Sequence, residues 1–152
     1  MRLSFGCDAS GIGLKHELMQ YAKSLGHTCV DCGIEEGESN DYPIFAARAA
    51  RLLQTGDCAL GVLLCGTGVG MSLAANKMRG IRCALANDCY TARMTRAHND
   101  ANMLSLGARV IGPELAKAIL YDFLATPYEG GRHQRRIDLI AQMEAGEPID
   151  SK

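Results

Sequence analysis

The chain has 152 residues, 47% of them hydrophobic, and a formal net charge of −1 from 16 Lys and Arg against 17 Asp and Glu; length and composition predict one domain spanning 1–152. A charge so near zero excludes bulk attraction to nucleic acid or to a membrane surface, and no apolar run approaches the roughly 18 residues that span a bilayer. Seven cysteines, an odd number scattered over apolar segments, fit free thiols in a reducing cytoplasm better than a disulfide framework, and no hydrophobic leader precedes the first strand.

Residues 2–6 read as a strand, followed by the loop Cys7-Asp8-Ala9-Ser10-Gly11-Ile12-Gly13. Leu14, Leu18, Tyr21, Ala22 and Leu25 then recur at helical spacing, and Gly26 closes that helix. Residues 27–32 form a second strand stopped by Gly33, and the polar residues 34–40 form a surface loop. Asp41 reads as the N-cap of a helix with Pro43 in its first turn, carrying Phe45, Ala49, Leu52 and Leu53 before Gly56. The near-continuous apolar run 58–64 predicts a third strand buried on both faces. Residues 82–86 and 103–106 make two more strands, with Asp88 capping a helix over 90–98 between them. Helices over 113–124 and 132–143 follow, and the polar tail 144–152 is expected to fray. Strands alternating with helices at this spacing predict an α/β domain with a mainly parallel five-stranded sheet. Ligands of such sheets bind beyond the C-terminal strand ends, where the loops 7–13, 65–70 and 87–89 lie.

The stretch Gly61-Val62-Leu63-Leu64-Cys65-Gly66-Thr67-Gly68-Val69-Gly70 runs from strand to glycine loop, and 71–77 opens a helix. That order presents free backbone N–H groups and the positive end of a helix dipole at one point. It suits an anion, and the same field favours the ionised form of Cys65. The spacing equally suits a tight strand-to-helix turn with Cys65 as a small core hydrophobe, since G-x-G-x-G lacks the fuller dinucleotide fingerprint. Asp8 fits either a turn residue bonding its own backbone or a carboxylate for sugar hydroxyls. His98-Asn99-Asp100 ends a helix, where the imidazole serves as a dipole partner or as an acid–base group near neutral pH. Arg132 and Arg136 lie one turn apart at the start of a helix, against its dipole; a phosphate explains that placement, and a solvated basic face is the alternative. Cys29-Val30-Asp31-Cys32 falls in a strand, where residues three apart point to opposite faces, so core packing is favoured over a redox pair or zinc. His16, His27 and His133 carry no pattern and read as surface or core residues.

A set of motifs in chain order carries a more specific signal. Gly6-Cys7-Asp8, Asp41-Tyr42-Pro43, Cys65-Gly66-Thr67-Gly68-Val69-Gly70 with Ala74-Ala75-Asn76-Lys77, Gly80-Ile81-Arg82, His98-Asn99-Asp100-Ala101-Asn102, Gly107-Ala108-Arg109-Val110-Ile111-Gly112 and Tyr128-Glu129-Gly130-Gly131-Arg132-His133 together resemble the ribose-5-phosphate isomerase type B family, which includes the galactose-6-phosphate isomerase subunits. The resemblance covers nearly the whole chain. It implies a three-layer α/β/α Rossmann-like domain, a homodimer or dimer of dimers with an active site shared between subunits, and no metal or nucleotide cofactor. The implied reaction is reversible aldose–ketose isomerisation of a phosphosugar through an enediolate, ribose 5-phosphate to ribulose 5-phosphate in the pentose phosphate pathway. By the same resemblance Cys65 is the base, and Thr67 and His98 assist ring opening with His98 as proton donor. The N–H groups of Gly66, Gly68, Val69 and Gly70 stabilise the enediolate, Asp8 and Asn99 hold hydroxyls, and Arg109, Arg132 and Arg136 take the phosphate.

One position departs from the family: Ala9 stands where a histidine near the substrate's phosphate end is usual. That departure raises a substrate of different length, a tetrose 4-phosphate or hexose 6-phosphate, beside the pentose. A non-catalytic sugar-phosphate-binding protein is a second class of function, opposed by the intact Cys65, Thr67 and His98. A flavodoxin-like nucleotide module is a third, opposed by Cys32-Gly33 at the end of the second strand, where an acidic ribose ligand is expected.

Overall fold

Apolar runs bounded by glycine or polar turns become the strands β1 (Arg2–Cys7), β2 (Thr28–Asp31), β3 (Leu60–Cys65), β4 (Cys83–Leu85) and β5 (Met103–Gly107) of the computed structural model, which describes residues 1–149. They form one parallel sheet in the order β2-β1-β3-β5-β4. The helices are α1 (Ile12–Ser24), α2 (Tyr42–Gln54), α3 (Val69–Ala75), α4 (Cys89–Ala97), α5 (Pro113–Ala125) and α6 (Arg132–Glu144). Parallel neighbours need crossovers, and these cover both faces: α2 and α3 pack on one side of the sheet, α1, α4 and α5 on the other. Central β3 is therefore buried along its whole length, as its lack of polar alternation predicts. Phe5, Phe45, Leu63, Leu104 and Phe123 are fully enclosed within the resulting core.

The winding decides where a ligand can sit. From β1 the chain goes to β2 at one edge, then crosses back over β1 to β3, so its direction reverses between β1 and β3. The crevice beyond the C-terminal ends of those two strands is the switch point of the sheet. Pairing of Cys7 with Leu64 and of Cys65 with Gly107 ends three strands at nearly one level. The same logic sends α4 the other way. It begins beyond the C-terminal end of β4 and returns the chain to the start of β5, so its C-cap His98 lies toward the N-terminal ends of the strands, the opposite end of the sheet from Cys65. The turn after His98 is pinned there: Gly61 N–H donates to Asn102 O at 2.9 Å and Arg82 N–H to Asn102 Oδ1 at 2.8 Å.

Two caps follow the sequence with different chemistry. Asp88 accepts from Thr91 N–H at 2.7 Å, whereas Asp41 occupies the N-cap of α2 without a side-chain bond. In α1, Leu14, Leu18 and Ala22 are buried as their spacing predicts, but Leu25 is exposed and Lys15 is fully buried. Lys15 Nζ reaches the two Asp31 carboxylate oxygens at 2.8 and 2.7 Å, and Asp31 Oδ1 also accepts from Gly33 N–H at 2.9 Å. Removing one partner of such a pair leaves a buried charge. Asp31→Ala is expected to destabilise by about 3–5 kcal/mol in urea unfolding, and adding Lys15→Met is expected to restore most of that loss. A double variant no more stable than the single one would show that Lys15 is not what the carboxylate compensates.

All seven cysteines are free thiols, and Cys29 and Cys32 are half-buried. Burial pushes Cys7 and Cys32 up to about 11 and Cys83 up to about 12, which keeps them protonated at neutral pH. Glu144, expected to begin a frayed tail, instead ends α6 and accepts Gly80 N–H at 3.0 and 2.9 Å through its two carboxylate oxygens. The remainder of that tail is exposed through Ile149, and 150–152 lie outside the described residues. Among the described residues no helix is long and apolar enough to cross a membrane.

Candidate active site

Cys65 is the last residue of β3 and only 6% exposed. Its carbonyl accepts from Ala108 N–H at 2.8 Å, and its Sγ accepts from Gly68 N–H at 3.1 Å. The sulfur is thus held at the strand end with a backbone dipole aimed at it. Gly68 makes this possible: it turns the chain at φ +80°, and a Cβ there would meet Leu85 Cδ1 at 2.5 Å and the Leu106 carbonyl carbon at 2.9 Å. Ser105 Oγ then clamps the turn by donating to Gly68 O at 2.6 Å. Gly68→Ala is expected to lower stability by about 2 kcal/mol or more and to displace the loop, read as a lower urea midpoint together with lost turnover. An unchanged midpoint would mean the turn tolerates the methyl group.

The other predicted residues of the loop gather around that sulfur. Thr67 Oγ1 accepts from Val69 N–H at 3.3 Å, while the N–H groups of Gly66, Thr67 and Gly70 have no acceptor among the described residues. Arg109 N–H donates to Gly66 O at 3.0 Å. A methyl group on Gly66 would lie 3.5 Å from Arg109 Cδ, 3.7 Å from its Nε and 3.6 Å from Ser10 Oγ, so arginine, serine and loop share one corner. Asp8 N–H donates to Leu64 O at 3.2 Å, tying the first loop to the end of β3. Its Oδ1 accepts from Ser10 N–H at 2.9 Å and Ser10 Oγ at 2.5 Å, the turn-residue behaviour weighed from sequence, and Oδ2 takes no bond among the described residues. Ala9 is exposed beside it. Tyr42 closes the corner: a Cβ on Gly70 would touch its ring at 2.8 Å.

The remaining predicted residues form a second group, at the other end of the sheet. His98 stacks on His133 with ring centroids 4.2 Å apart and planes 12° from parallel. Glu129 Oε2 lies 3.9 Å from His98 Nε2 and 3.3 Å from His133 Nε2. Asn99 is exposed, and its backbone carbonyl accepts from Arg82 Nε at 3.1 Å. Arg132 and Arg136 lie on the exposed side of α6, where Arg136 Nη1 reaches Arg132 O at 3.5 Å. Among the described residues no hydrogen bond or ion pair joins this group to Cys65, Thr67, Asp8 or Arg109. The two groups stand apart by roughly the length of β3, about 20 Å for six residues.

The charges are sorted. Arg82 and Arg96 pair with Asp100, and Arg93 pairs with Asp122. Arg109, Arg132 and Arg136 have no carboxylate within ion-pair distance among the described residues, and neither do Arg2, Arg48, Arg51, Arg79 and Arg135, so their guanidinium groups are open to an anion without being singled out by pairing. His133 is where the sequence reading needs correction. It is not a patternless histidine: it is buried, stacked on His98 and faces Glu129. Ser10 was also missed, although Asp-x-Ser at a strand end signals an Asx turn. Tyr42, from the Asp41-Tyr42-Pro43 motif, packs on Gly70 and so belongs with the loop, which its motif alone does not signal. His27 lies beside the N-terminal amine, 3.2 Å from Nδ1, and His16 is on the exposed face of α1.

A family model described as Ribose/Galactose Isomerase matches residues 3–140. Ribose-5-phosphate isomerase B of Escherichia coli is 44% identical over 143 residues, covering 94% of this chain and 96% of that protein. D-erythrulose-4-phosphate isomerase of Pectobacterium atrosepticum is 39% identical over 145 residues, covering 95% of each. The structure of ribose-5-phosphate isomerase B from Clostridium thermocellum superposes with a TM-score of 0.94 at 42% identity, covering 96% of this chain and 99% of that one. Sequence along nearly the whole chain and fold agree, and the chain belongs to the ribose/galactose isomerase family.

Proposed function

We propose that this aldose–ketose isomerase acts on ribose 5-phosphate, interconverting it with ribulose 5-phosphate through an enediolate. The observation that carries the reading is the Cys65 sulfur, held by Gly68 N–H at the β1/β3 switch point, with Arg109 beside the adjoining Gly66. The Cys65 thiolate takes the C2 proton of the open-chain aldose, and the electron pair moves into the C1–C2 bond and onto O1. The O2–H proton passes to O1, the electron pair left on O2 forms the C2 carbonyl, and the electrons of the C1–C2 double bond take the proton back from the Cys65 thiol at C1, so atoms and electrons balance without an outside oxidant. Free N–H groups of the Gly66–Gly70 loop face the developing oxyanion, preorganised by the strand end. Thr67 and His98 assist ring opening, His98 as proton donor. Asp8 offers its unbonded Oδ2 to hydroxyls, as does Asn99 its amide. Ala9 and Val69 border the substrate, and Arg109, Arg132 and Arg136 receive the phosphate as charge-assisted forks.

The separation of the two groups supports a site built from two copies. The Cys65 corner of one copy faces the His98, Asn99, Arg132 and Arg136 group of another, in a homodimer or a dimer of dimers, and two-fold symmetry then yields two equivalent sites. Seven free thiols suit a reducing cytoplasm.

The Ala9 position supports a second reading. Without the usual imidazole the phosphate end has one donor fewer, and a relative named for a tetrose phosphate shares 39% identity. The test is kcat/KM on ribose 5-phosphate, erythrulose 4-phosphate and a hexose 6-phosphate, each with a Cys65→Ala blank. Highest efficiency on ribose 5-phosphate is expected; a higher value on another chain length would move the assignment to that sugar.

A further inference from the structure

His98, Glu129 and His133 bring three metal-ligating atoms within 4.8 Å of one another, one per residue. The backbone builds this trio. His98 caps α4, Glu129 N–H donates to the last α4 carbonyl, Ala97 O, at 3.0 Å, and Gly130 and Gly131 turn the chain at φ +65° and +55° so that His133 folds back onto His98. His133 is 7% exposed, yet its Nε2 has no hydrogen-bond partner among the described residues. The carboxylate oxygen 3.3 Å away lies at ion-pair distance without the alignment of a hydrogen bond. A buried ring nitrogen left this way costs free energy unless something else uses its lone pair.

We propose that His98 Nε2, Glu129 Oε2 and His133 Nε2 form a site for a zinc-class divalent cation, and that its occupation silences the enzyme by taking the His98 nitrogen. Two imidazoles and one carboxylate are a donor set that zinc prefers, and a fourth position stays open to water. Donors about 2.1 Å from a tetrahedral ion stand about 3.4 Å apart. The His133–Glu129 separation of 3.3 Å meets that spacing; because an ion lies in the plane of each ring that binds it, His98, whose side chain is 36% exposed and 3.9 Å from Glu129, must rotate out of its stack on His133 to complete the set. Zinc here is an inhibitor and not a cofactor: coordination removes the lone pair that a proton donor must regain each turnover. The inhibitory half rests on the proposed role of His98; the binding half does not.

The test uses the chelator-stripped full chain titrated with Co2+ and, separately, with Zn2+. One Co2+ per chain with a visible d–d spectrum lacking a thiolate charge-transfer band is expected, weakened about tenfold or more in Glu129→Gln. Absence of stoichiometric binding, a thiolate band, or unchanged affinity in Glu129→Gln and in His133→Asn alike would overturn the site. In turnover assays Zn2+ is expected to inhibit the wild type reversibly by chelator and to spare Glu129→Gln. Binding of this pattern with undiminished turnover would overturn the inhibitory half. The same binding in a protein that turns over no phosphosugar would uphold the metal site while the proposed function fell.

Discussion

Cys65→Ala is expected to lower kcat/KM on ribose 5-phosphate by about 10²- to 10⁴-fold, the range that a positioned acid–base group contributes. The change deletes one sulfur from the end of β3 and leaves both backbone bonds of that residue in place, Ala108 N–H to its carbonyl among them. It does leave the Gly68 N–H without its sulfur acceptor, so stability should fall by about 1–3 kcal/mol, and a circular-dichroism melt separates lost chemistry from lost fold. Cys65→Ser retains size and a polar atom but is a far weaker acid than a thiol, so it should be nearly as impaired. Exchange of the substrate's C2 hydrogen with deuterated solvent should vanish with turnover in both variants. Exchange that persists in Cys65→Ala would name another base and remove the central assignment.

Mixing two inactive variants is expected to restore activity. Cys65→Ala and His98→Asn should each be severely impaired as pure proteins. After subunit exchange, half of randomly paired dimers are mixed, and in each of these one of two sites carries both intact residues. Activity should then return to about a quarter of the wild-type value. The physical basis is the winding of the sheet. Cys65 ends β3, whereas His98 ends a helix that runs back to the start of β5, so the winding sets the two side chains at opposite ends of the strands, and the proposed site takes one from each copy. No recovery on mixing, with dimer exchange verified by mass, would mean that each site is complete within a chain and that His98 acts elsewhere.

Much of this molecule was legible in the residues because the deciding interactions are local. Uninterrupted apolar runs placed β1, β3 and β5, glycines and prolines placed the helix ends, and a strand–glycine–helix succession located the Cys65 loop. The resemblance of motifs in order pointed to the family that whole-chain similarity then established. What was missed shares one cause, a partner distant in sequence. Lys15 sits one residue from the apolar stripe of α1, and only Asp31 beneath it makes burial tolerable. His133 looked featureless because its neighbours, His98 and Glu129, come from two other segments. Glu144 read as tail because the Gly80 N–H that holds it lies 64 residues away.

By itself the sequence determined the α/β alternation, the buried central strand, the strand–glycine–helix loop that carries Cys65 and membership in a family of sugar isomerases. These depend on periodicity, turn residues and short motifs, which operate within a few residues of one another. Only the tertiary structure decided that the strand order is β2-β1-β3-β5-β4, that the reversal falls between the Asp8 and Cys65 loops, and that His98 is carried to the far end beside a buried His133. Those outcomes depend on which strands pair and which way each crossover returns, and no stretch of chain contains both sides of a pairing.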